Sequence, residues 1–192
     1  MNRFRHPMTT ERRARSYRAV FVLSALLLAA ALPARAQVPS AEQAVALVQA
    51  MQLDKSALTG MQLSVANGVK RGSATPEQLS CVGKLQSTEF TDVFSAAVVR
   101  TLSQTETKQA TEFFQSRVGR KVTDLGFHEL HRQVSAPLDT PAPQFSDADI
   151  RTQEQFVKSS AGEKLFVKQV LNGTDVKAQL GQRLKSVLAS CQ

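Results

Sequence analysis

Tryptophan is missing from this chain, and tyrosine occurs once, at Tyr17. Sugar platforms and interface hot spots draw on those two rings for their polar handle, so their scarcity counts against a carbohydrate binder. Cysteine is nearly as rare. Cys81 and Cys191 are the only two, without a CxxC spacing and without a basic residue beside either, which argues against a redox-active thiol. Alternating β-branched runs are few, which disfavours a sheet. No GxSxG is present and no cysteine has a base placed beside it, so nucleophilic catalysis lacks a recognisable constellation.

What is present begins with a leader. An Arg-rich start is followed by an apolar run from Ala19 to Leu32, then Pro33 and the triplet Ala34, Arg35, Ala36. The run is shorter than the roughly 20 residues that span a bilayer, and AxA is what signal peptidase cuts. Residues 1–36 are therefore expected to be a cleaved signal peptide, with the mature chain periplasmic or secreted and free of a transmembrane segment. The leader holds 7 of the 24 Lys and Arg and 1 of the 16 acids. The whole-chain charge of +8 thus shrinks to about +2 after residue 36, and nucleic acid is rejected as a partner because the basicity is removed with the leader.

Export places both cysteines where disulfides persist. A Cys81–Cys191 bridge is expected, two buried thiols being the alternative. Residues 37–192 read as one all-α domain, a multi-helix bundle rich in Ala, Gln, Leu, Lys and Glu with repeated caps. Helices are expected over Ala41–Leu53, over Lys55–Arg71 with Asp54 as cap and Gly72 as stop, from the Thr75, Pro76, Gln78 capping box to about Gln86, and over Thr88–Leu102. Ser103 with Glu106 and Ser146 with Asp149 form two further capping boxes, the second flanked by Phe145 and Ile150 in hydrophobic-staple positions. Three prolines in "SAPLDTPAPQF" make residues 136–145 a connecting loop. Thr174 opens the last helix, whose apolar face, Val176, Leu180, Leu184, Val187, Leu188 and Cys191, is expected to lie against the body of the fold.

"FFQSRVGRKV" at 113–122 returns as "FVKSSAGEKL" at 156–165. Phe113, Ser116, Gly119 and Lys121 recur as Phe156, Ser159, Gly162 and Lys164, so two helix-corner-helix units are expected, at about 102–135 and 145–192. One reading makes each copy a structural corner: serine caps the new helix, glycine permits close backbone approach and phenylalanine anchors the outgoing helix. The competing reading is an anion site at the fresh helix N-terminus, with Arg117, Arg120 and Lys121 around it. The first is favoured, because copy two has Ser160 and Glu163 where copy one has Arg117 and Arg120.

On these residues the chain resembles a widespread periplasmic helical family of Gram-negative bacteria catalogued only as a domain of unknown function. Its FxxSxxGxK element, with Phe or Tyr in second position, is matched closely by "FFQSRVGRK", save that Arg117 stands where the family often has proline, and more loosely by "FVKSSAGEK". The resemblance covers roughly residues 102–192. It implies a secreted all-helical bundle and brings no catalytic residue with it.

One stripe could carry chemistry. In "DLGFHELH" the side chains of Asp124, His128 and His131 share a narrow arc with Arg117, Lys121 and Ser135, and apolar residues flank it on both sides. The helix is therefore expected to be central. Two imidazoles and a carboxylate could hold zinc or copper, although "HELH" is one residue short of HExxH. A solvated stripe is the bland reading, and no cofactor is otherwise implied. The favoured function is a non-enzymatic binding or interaction module, taking an apolar ligand or an envelope partner's helix in a bundle groove. A metal-binding protein and a purely structural envelope protein are the alternatives.

Overall fold

Local capping chemistry cuts the chain into its helices in this computed structural model, which describes residues 37–191; the expected leader, residues 1–36, lies outside them. Every regular element among the described residues is helical. A Ser40–Gln43 capping box starts α1 (Ala41–Met51), which buries Ala44, Leu47 and Val48 at i, i+3, i+4 spacing. The helix ends at Gln52, whose φ of 52° turns the chain into α2 (Leu53–Lys70) without a linker. Asp54 is not the expected cap. It lies buried inside the first turn of α2, where its Oδ2 accepts the Thr91 hydroxyl at 3.1 Å. Gly72, at φ 71°, closes that helix as expected.

The Thr75–Gln78 box forms and opens α3 (Pro76–Gly83), which stops short of Gln86. A 3₁₀ turn (Ser87–Phe90) then leads into α4 (Thr91–Thr101). The Ser103–Glu106 box opens α5 (Gln104–Gln115), and Ser116 caps α6 (Arg117–Gln133). Beyond the proline-rich loop, the Ser146–Asp149 box opens α7 (Asp147–Val157). The expected staple does not seal this start: Ile150 is 44 % exposed, and Phe145 lies beneath the Lys121 ammonium instead. Ser159 caps α8 (Ser160–Gly162), which widens into π-helical Glu163–Val167; a 3₁₀ turn (Val170–Asn172) precedes α9 (Thr174–Ala189).

Helix α1 packs on α4 and α5; α2 packs on α3 and α6; α5 and α7 each pack on both α6 and α8; α9 leans on α4 and the 3₁₀ turn before it. Phe90, Leu47, Val48, Val82 and Val98 lie at the centre, fully enclosed. Each such side chain contributes about 1.5–3 kcal/mol by leaving water. Cys81 and Cys191 are joined, with 5.6 Å between their Cα atoms, tying α3 to the end of α9. Among the described residues no helix is long and apolar enough to cross a membrane.

Candidate functional site

The doubled motif builds two corners of the same geometry. Ser116 Oγ accepts the Gly119 amide and Ser159 Oγ accepts the Gly162 amide, both at 3.1 Å. Phe113 and Phe156 are buried and stack on each other, with ring centroids 3.9 Å apart and planes 6° from parallel. The two anchors therefore meet face to face.

The lysines join the units reciprocally. Lys121 Nζ donates to Asp149 Oδ2 at 2.7 Å and to the Gln144 carbonyl at 2.8 Å. Lys164 Nζ donates to Glu106 Oε2 at 2.7 Å and to the Thr101 carbonyl at 3.1 Å. Each motif lysine thus reaches the capping-box acid of the other unit, together with a carbonyl five residues before that acid. Arg117 and Ser160, which look unrelated in sequence, occupy matching places and do matching work. Arg117 Nη2 donates to Asp149 Oδ1, and Ser160 Oγ donates to Glu106 Oε1, each at 2.5 Å. Arg120 is committed as well, donating to the Gln115 carbonyl. The anion reading loses Arg117 and Lys121 to the carboxylate of Asp149 and Arg120 to a backbone carbonyl.

These partners hold both acids ionised. The Lys121 ammonium, then the Arg117 guanidinium and the Ser146 amide, keep the Asp149 carboxyl far below the usual carboxylate range. Burial pushes Glu106 upward, but Lys164, the Ser103 amide and the Ser160 hydroxyl outweigh it and bring the group to about 2. Since both folded-state values are depressed, the stabilisation is complete above the ordinary carboxylate range of roughly 4 and disappears as pH falls through the folded values. Glu106→Gln should accordingly cost about 2 kcal/mol at neutral pH. Near pH 2 most of that deficit should be gone, because the native carboxyl is then about half protonated and the unfolded one almost wholly so. Urea titrations at the two pH values check this; an equal deficit at both would refute the ion-pair account.

The histidine stripe fares differently. Asp124, His128 and His131 do share one wall, facing a shallow depression of about 480 Å³ whose other side is the loop residues Leu138, Thr140, Pro141 and Pro143. His131 Nδ1 lies 2.9 Å from the Ala136 carbonyl. Among the described residues no group of three or more His, Cys, Asp or Glu side chains could hold a metal ion. A helical wheel fixes which residues share an arc; here the proline-rich loop, with no ligating side chain in the depression, lies opposite that arc. Helix α6 is not central either. It buries only Val118, Gly119 and Thr123, and Leu125 is 43 % exposed. Its second half is instead tied sideways to α2, with Leu130 against Gly60 and the Asn67 amide donating to the Val134 carbonyl.

A larger concavity lies elsewhere, between α2 and α9, with a volume of about 790 Å³. One wall is the stripe Val176, Leu180, Leu184, Leu188 of α9; the facing helix presents Ser56, Gly60 and Ser64. Small residues one turn apart hollow the α2 wall, and long aliphatic ones line the other. The expected apolar face of α9 is therefore divided: Val187 and Cys191 are buried, whereas Leu180, Leu184 and Leu188 are half-buried and border the groove. The Ser-x-x-x-Gly-x-x-x-Ser spacing on α2 was the available signal, and it was uninformative without knowing which helix stood across from it. No protein-family model, curated protein or solved structure matches this chain.

Proposed function

We propose that this is an exported, non-enzymatic binding protein of the cell envelope that holds an apolar ligand in the groove between α2 and α9. Its two helix-corner-helix units are read as an internal repeat that serves as rigid scaffold. The groove carries the proposal. Its volume of about 790 Å³ falls in the range of small-molecule sites. Its lining is mainly aliphatic and includes no acidic or histidine side chain, so it offers contact area without an acid–base pair. The AxA-terminated leader pattern and the Cys81–Cys191 bridge support export. The resemblance to the periplasmic helical family agrees with that placement.

A neutral solvatochromic dye tests the reading. Binding to the purified protein should saturate at one dye per chain. Ala57→Phe, which pushes a ring into the groove from a half-buried wall position, should weaken it by about tenfold or more, equivalent to roughly 1.4 kcal/mol. Circular dichroism establishes that the variant remains helical. Non-saturating uptake, or equal affinity for both folded proteins, would remove the groove as the site.

A further inference from the structure

We propose that the groove's ligand is a long-chain carboxylate of the fatty-acid class, lying along α9 with its head at the start of that helix; this rests on the groove being the binding site. Length is the first argument. Val176, Leu180, Leu184 and Leu188 line the groove over three full helical steps of four residues, about 18 Å at 1.5 Å per residue. An unbroken aliphatic strip of that length matches an extended alkyl chain better than a compact ring system. Ser56 on the opposite wall does not interrupt it, since its hydroxyl already donates to the Gln52 carbonyl at 2.9 Å.

Polarity is the second argument: apart from the hydroxyls of Ser56 and Ser64 on the α2 wall, the polar groups gather at one end. Gln169, Asn172 and Lys177 border the groove from the turn before α9 and its first turn, whereas α9 contributes only leucines from Leu180 onward. Charge is the third. Lys177 is the one charged residue among those lining the groove. Helix α9 also begins at Gly173 without a side-chain cap, so its first amides lack a side-chain acceptor at that same end. Asp175 lies in the first turn but does not line the groove. The head group that fits is an anion able to accept hydrogen bonds. A partner helix fits less well, because it would gain nothing from polarity gathered at one end.

Displacement of the bound neutral dye by three amphiphiles of one chain length decides the matter: palmitate, the corresponding alcohol and the corresponding alkyltrimethylammonium. Palmitate should act at about tenfold lower concentration than the alcohol, the ratio given by roughly 1.4 kcal/mol of head-group preference, and the ammonium should be weakest. Lys177 is exposed, so its replacement leaves the core intact; Lys177→Glu should reverse the order of carboxylate and ammonium. Equal potency of the three, or an order unchanged by Lys177→Glu, overturns the carboxylate assignment while the apolar site survives. Displacement by an amphipathic helical peptide but by none of the three also overturns it, in favour of a protein partner. Failure of the dye itself to bind saturably sinks both the site and its ligand.

Discussion

Gly119→Ala should destabilise the protein by more than about 3 kcal/mol, among the larger effects a single methyl can have. The reason is close approach, not backbone conformation, since Gly119 is not among the residues with positive φ. A Cβ built there would lie 2.0 Å from the Phe113 carbonyl oxygen and 2.5 Å from Phe114 Cα. Both are backbone atoms that a rotamer change cannot move aside. Accepting the methyl requires the corner to open, which draws Phe113 off Phe156 and Lys121 off Asp149 together. Gly162→Ala should behave alike, because its Cβ would meet the Phe156 oxygen at 1.9 Å. Gly126, on the same helix α6 as Gly119, has nothing within 4 Å of its would-be Cβ. Gly126→Ala should therefore raise stability by up to about 1 kcal/mol, the ordinary helix-propensity gain. Denaturant unfolding of the three variants should show two large losses and one small gain; a Gly119→Ala midpoint equal to wild type would contradict the corner.

The helices were legible because their signals are local. Thr75 with Gln78, Ser103 with Glu106 and Ser146 with Asp149 each close a box over three residues, and the physics that forms the cap is contained in that span. The second task of Glu106 was hidden by the first. A capping-box glutamate already has an explanation, so nothing local points to Lys164 58 residues away. Arg117 against Ser160 looked like a broken correspondence, yet position and donor capacity were kept while charge was not. Periodicity misplaced α6 for another reason: two apolar flanks show what a helix could bury, and only the neighbouring elements determine what it does bury. The same limit applied to Phe145 and Ile150, where the staple spacing is present but Ile150 remains in solvent. The groove was least legible of all, since it arises from small side chains on α2 facing leucines on α9 more than a hundred residues later.

Loss of the Cys81–Cys191 bridge should have the broadest consequence, on stability and on binding together. The bridge closes a loop with a sequence separation of 110, which in the chain-entropy description constrains the unfolded state by about 4–5 kcal/mol. A domain of this size has only about 5–15 kcal/mol in total, so the Cys81→Ala, Cys191→Ala double variant should be marginal near body temperature. Position adds to the effect. Helix α9 buries only Val176 and Val187 of its own residues, and one flank borders the groove, so its outer end is held chiefly through Cys191. Without that tie the last turns should fray before the rest of the bundle unfolds, as expected of a segment with few buried contacts. The wall carrying Leu184 and Leu188 would then loosen, and dye affinity should fall at temperatures where the other helices remain intact. Two readouts separate these effects: urea unfolding for the global loss, and limited proteolysis for early cleavage near the C-terminus, each compared with wild type treated with reductant. A double variant that unfolds at the wild-type midpoint would show that the bridge constrains little. One that loses stability but keeps full dye affinity would show that α9 is seated by its packing on α4 and the 3₁₀ turn before it.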